Sequence, residues 1–196
     1  MRREFRLPGP LGMSGHLSLW GASSLIKSIQ RGTVTNAAPA ATISAVVMAN
    51  TQLRLTGFRN NATNANVESL WLTKVVLTDA TTVTGSVGTA GATWTATFEV
   101  IEYVPGVIKS MQRGTFAYTS MSTGNAGVLT ITEVNPDKAF VEILGRSSDY
   151  AAVTTDPRYA CQSAVLAATS VTFVSASDPN GSGGTWTISY EVTEWY

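Results

Sequence analysis

Charge is what this chain has least of. Asp, Glu, Lys and Arg make up 13% of its 196 residues and cancel to a formal net charge of zero, where an ordinary globular chain carries about 25%. A neutral surface so poor in charge lacks the electrostatic footprint of a nucleic-acid binder or of a protein drawn to an anionic membrane. The single cysteine, Cys161, excludes an intrachain disulfide, and one histidine, His16, leaves no cluster of soft ligands for zinc. Cys161 reads as a small packing residue in or near a strand. No run approaches the ~18 apolar residues of a membrane span. The basic start MRREFR is followed by Pro8, Gly9, Pro10, Gly12 and Ser14 rather than by a continuous apolar stretch, so no secretory signal is expected.

Catalytic motifs are equally scarce. There is no G-x-S-x-G elbow, and a Ser-His-Asp set would depend on His16, in an irregular stretch near the N-terminus. DPNGSGG, at 178–184, lacks the spaced acids of an EF-hand and the Lys of a P-loop, and reads as a long hairpin turn. Glu99 with Glu102, and Glu191 with Glu194, stand three apart in strand-like segments, where such residues face opposite sides. No enzyme activity, metal or cofactor is expected.

What the chain does have is repetition. IKSIQRGT at 26–33 returns as IKSMQRGT at 108–115, changed at one position in eight. The correspondence continues downstream: TISAVVMANTQLRLTG (42–57) lies over TITEVNPDKAFVEILG (130–145), VVLTDATTVT (75–84) over AVLAATSVT (164–172) with a one-residue gap, and TWTATFEVIEY (93–103) over TWTISYEVTEW (185–195). The spacing between matching segments widens along the chain, as it does when insertions collect in the surface loops of a duplicated unit. This divides the chain into an arm at 1–25, a first unit at 26–104, a linker at 105–107 where Pro105 and Gly106 interrupt the last strand, and a second unit at 108–196.

Each unit reads as strands. Trp94, Ala96, Phe98 and Val100 alternate with Thr93, Thr95, Thr97 and Glu99, and Trp186, Ile188, Tyr190 and Val192 with Thr185, Thr187, Ser189 and Glu191. That is the pattern of a strand with one face packed and one wet. Similar short segments rich in Val, Ile, Thr and aromatics are separated by Gly, Asn, Asp and Pro, and no window carries a sustained helical period. About six strands per unit without crossover helices predict an all-β chain of two tandem antiparallel β-sandwich, or small barrel, domains behind an irregular N-terminal arm.

Three regions are candidates for contact. Loop 145–160 of the second unit carries Arg146, Tyr150, Arg158 and Tyr159; its counterpart at 57–69 carries Arg59, Asn60, Asn61 and Asn64. Aromatic, guanidinium and amide groups on loops can meet a sugar or a protein partner, although a loop folded back on its own domain is the simpler reading. Gln30 and Arg31, with Gln112 and Arg113, recur in the marker. They serve either as subunit contacts or as ties from each opening strand to a carboxylate of its own domain, and retention in both copies favours the tie. The Gly- and Pro-rich arm, with Arg2, Arg3, Arg6, Leu11, Leu17, Leu19 and Trp20, can order only by lying on something else.

A short β unit that opens with IKSIQRGT, runs through ATISAV, LRLTG and TTVT strands and closes on FEVIEY resembles the small β-rich virion structural proteins of tailed bacteriophages. The likeness covers 26–103 and, more loosely, 108–195. It implies a non-enzymatic head-decoration, fibre or tail-associated role in the virion, with major capsid or tail proteins as partners. The arm is then the anchoring element, and two units per chain suit a homo-oligomer such as a trimer presenting six similar domains. The alternative is a tail adhesion module for cell-surface glycan.

Overall fold

The computed structural model describes residues 24–60, 73–87, 93–118, 127–148, 161–175 and 185–196. These residues are all-β, with single 3-10 turns at Met48–Asn50 and Pro136–Lys138. The first unit supplies β1 (Ile26–Thr35), β2 (Ala40–Thr42), β3 (Thr51–Asn60), β4 (Thr73–Asp79), β5 (Thr82–Val87) and β6 (Trp94–Tyr103). The second supplies β7 (Ile108–Tyr118), β8 (Gly127–Thr130), β9 (Ala139–Ser148), β10 (Cys161–Ala167), β11 (Ser170–Ser175) and β12 (Trp186–Trp195).

Strand order repeats with the sequence. β6 lies between β1 and β3, and β12 between β7 and β9; β5 lies between β2 and β4, and β11 between β8 and β10, all antiparallel. Each unit is therefore two three-stranded layers around an apolar core. The first core holds Val34, Leu53, Val75, Val83, Phe98 and Val100, and the second Tyr118, Val134, Val171, Phe173, Ile188 and Val192. The one-residue gap in the sequence match has a physical form: β4 carries an irregularity between Leu77 and Asp79 where β10 pairs regularly through Ala167. The extra residue, Thr78, is a β-bulge in the first copy. The segments around TISAV and TITEV are strands only at their starts; beyond Thr42 and Thr130 the chain leaves the ladder. It hydrogen-bonds instead to the β4–β5 and β10–β11 turns, Ile43 N to Thr81 O at 2.8 Å and Ile131 N to Thr169 O at 3.0 Å.

The two units are joined by more than the linker. Through Lys74 and Gly145, β4 pairs with β9, so the order β2-β5-β4-β9-β12-β7 makes one six-stranded sheet across both copies. Gly145 is the residue this approach requires: its φ is +103°, and a Cβ there would collide with the Thr73 carbonyl oxygen and the Lys74 Cα. Beside it Leu144 leaves its own unit and sits 1% exposed in the first core.

Candidate functional site

The marker residues each have a place. Lys27 Nζ and Ser28 Oγ donate to Glu102, and Lys109 Nζ and Ser110 Oγ to Glu194; the Val47 and Asn135 N–H groups complete the two sets at 3.0 Å each. Glu102 and Glu194 are buried. Burial raises the Glu102 carboxyl, but the Lys27, Val47 and Ser28 donors outweigh it and hold the group below its ordinary value. At Glu194 the Lys109 hydrogen bond is the leading cause of the same downward shift. Gln30 brackets Ser44, its amide donating to the carbonyl oxygen and accepting from the N–H, and Gln112 does the same at Thr132. These glutamines satisfy the backbone where it leaves the ladder.

The arginines share a motif and differ in surroundings. Arg31 meets Glu99 at 2.7 Å on an open sheet face, the side chains 67% and 22% exposed. Arg113 meets Glu191 at 3.1 Å, 15% and 2% exposed, and its guanidinium also donates to the Met48 and Thr51 carbonyl oxygens of the first unit. The Arg113 Nε and Glu191 Oε1 approach is too poorly aligned to count as a hydrogen bond, so the contact is one of charge. Glu191 Oε2 accepts from the Leu53 N–H at 2.9 Å. Burial pushes the Glu191 carboxyl up to about 7, only partly opposed by Arg113 and Leu53, and the same burial lowers Arg113. Desolvation outweighs attraction in this pair.

Around it lies the seam between the units. The expected wet face of β12 is not wet: Ser189, Glu191 and Thr193 are buried against the open side of the first sandwich, between β3 and β4. The alternation correctly separates the two faces of β12 but is blind to a second unit covering the polar one. Ser189 Oγ donates to the Val75 carbonyl oxygen at 2.7 Å, and Gln52 Nε2 to Thr193 Oγ1 at 3.0 Å. Where the seam opens, a groove of about 430 Å³ is lined by Gln52, Arg54, Tyr103, Phe140, Glu142 and Trp195, among others. Tyr103 meets Trp195 edge-on with ring centroids 5.1 Å apart, and Phe140 stacks on Trp195 at 6.2 Å. Arg54 and Glu142 face each other at 3.9 Å, where burial raises the Glu142 carboxyl and Arg54 opposes the rise.

No family model, curated protein or solved structure matches this chain. Of the loop candidates, Arg59 is exposed near the end of β3, Asn60 ends that strand, and Arg146 is half-buried in β9. Asn61, Asn64, Tyr150, Arg158 and Tyr159 lie outside the described residues, as do the arm residues Arg2, Arg3, Arg6, Leu11, Leu17, Leu19 and Trp20. The groove residues were not anticipated from sequence. Their one signal is the paired aromatic ends of the closing strands, FEVIEY and YEVTEW. Among the described residues no acidic, Cys or His group of three could hold a metal, and no helix is long and apolar enough to cross a membrane.

Proposed function

We propose that the chain is a non-enzymatic structural component of a tailed-phage virion, bound to capsid or tail proteins through its N-terminal arm and displaying its paired β units. The observation that carries this reading is the seam. A polar strand face that would solvate an isolated unit is here committed to hydrogen bonds and an ion pair with its twin, so duplication yields one continuous β structure with a fixed geometry. Such a body suits a mechanical or display role. Removing residues 1–24 is expected to abolish incorporation into particles while leaving the thermal unfolding of the β body unchanged. Undiminished incorporation overturns the anchoring role.

The groove favours one second reading, adhesion to cell-surface glycan, because Tyr103, Phe140 and Trp195 beside Gln52, Arg54 and Glu142 combine ring faces with polar groups as sugar sites do. A glycan array on the purified chain tests it: saccharide binding lost on Phe140→Ala favours adhesion, and an array without specific binding removes it.

A further inference from the structure

The seam joins unlike surfaces. The first unit contributes the open β3/β4 side of its sandwich, and the second the outer face of its β7-β12-β9 sheet. In a chain of two similar units, one such joint leaves one surface of each kind unused. Among the described residues, the outer face of β1-β6-β3 is exposed at Ile29, Arg31 and Thr97, beyond the part that lines the groove, and β4 reaches the β9 edge of the second unit at Gly145. Ile29 on the first surface is 41% exposed, and Val165 of β10 is 58% exposed. Val75 and Leu77 of β4 are buried, while Ala164 and Leu166 at the matching places of β10 are only partly buried against the second core.

We propose that a second copy of this chain fills these surfaces head to tail, the open β9/β10 side of one molecule docking on the β1-β6-β3 face of the next as the first unit docks on the second within the chain. Transferring the seam by the repeat assigns each contact. Arg31 and Glu99 take the places of Arg113 and Glu191, with the carbonyl oxygens of Pro136 and Ala139 and the N–H of Val141 in the places of those of Met48, Thr51 and Leu53. Thr97 keeps the hydroxyl that Ser189 uses, against the carbonyl oxygen of Ala164. Gly57 keeps the glycine that Gly145 needs, although within its own chain a Cβ there would meet only Thr97 Oγ1, at 3.3 Å. One contact weakens: Thr56 stands where Leu144 plugs the first core, so the joint between molecules is looser than the joint within one. A head-to-tail contact of this kind closes into a ring when its rotation allows and otherwise propagates. The inference rests on the seam and not on any location in a particle.

Sedimentation velocity of the full chain over a concentration series tests it. The expected result is concentration-dependent association into species of two or more copies. In the double variant Arg31→Glu/Glu99→Arg the in-chain ion pair is kept, but a carboxylate meets the neighbour's carbonyl oxygens. Association is expected to weaken by roughly tenfold or more, about 1.4 kcal/mol, with the melting curve of the monomer unchanged. Gly57→Val, which blocks strand approach through an independent contact, is expected to weaken it likewise, so a poorly folded double variant leaves the test standing. A wild-type chain that stays monomeric well above micromolar concentration overturns the proposal, as does association indifferent to Gly57→Val.

Discussion

The two arginine-glutamate pairs are the same two residues on the same two strands, and their surroundings make them physically different objects. Arg31 and Glu99 sit in high dielectric, where a pair contributes about 0–1 kcal/mol. Arg113 and Glu191 have been taken out of water by the neighbouring unit and anchor it through backbone groups. Local sequence decides that the pair forms; what covers it decides what it does. Arg113→Ala therefore has the largest expected effect at pH 8, where the Glu191 carboxyl is charged in the parent chain: the variant leaves that group buried without its cation and two carbonyl oxygens without their donor, at a cost of about 4 kcal/mol. Arg31→Ala in the monomer is expected to cost under about 1 kcal/mol. Denaturant unfolding of both variants measures the difference, and equal losses would mean the seam confers nothing on the second pair.

The all-β character and the strands β6 and β12 were legible in the sequence because period-two alternation reports on contacts inside one unit, whereas the order of strands within each layer was not. Trp94, Ala96, Phe98 and Val100 are buried as their spacing requires. The seam was not legible, because Ser189, Glu191 and Thr193 look like any solvated strand face and only three-dimensional placement reveals a neighbour above them. Leu144 is the clearest case. In the alignment it stands opposite Thr56, and nothing local says that one enters another unit's core while the other stays at the surface.

Leu144→Ala accordingly sharpens the contrast next. Removing a side chain that plugs the first core should cost about 3 kcal/mol, though the mutated residue belongs to the second unit. Thr56→Ala loses only an exposed hydroxyl bond to Thr97 and should cost a few tenths of that. Hydrogen exchange adds a spatial test: Leu144→Ala is expected to raise exchange in β3 and β4 of the first unit, and a rise confined to β9 would contradict the assignment.

Acidity separates the pairs again. With the folded Glu191 carboxyl at about 7 against an ordinary 4.5, the folded chain binds more proton than the unfolded chain across that window, so its stability falls as pH rises from 4.5 to 7 and the full penalty persists above. At 1.36 kcal/mol per pKa unit this amounts to about 3 kcal/mol. Glu102 and Glu194 act in the opposite sense, their lowered carboxyls contributing stability that is lost only as pH falls below 4.5. Melting temperature should therefore be highest near pH 5 and decline toward pH 8, and Glu191→Gln should flatten that decline. An unchanged slope in the variant would place the titrating group elsewhere.

The smallest effect is expected where the units are most alike. Lys27 and Lys109 reach Glu102 and Glu194 at 2.9 and 2.8 Å from half-solvated positions, with side chains 53% and 51% exposed. Neither lysine lies at the seam, and each glutamate keeps serine and backbone donors when its lysine is removed. Lys27→Ala and Lys109→Ala should each cost under about 1 kcal/mol and, more to the point, should cost the same. A calorimetric comparison is sensitive to the difference rather than to either value. If Lys109→Ala proved the costlier by the margin expected between Arg113 and Arg31, the asymmetry would belong to the whole second unit, and burial at the seam would no longer explain why one ion pair matters more than its twin.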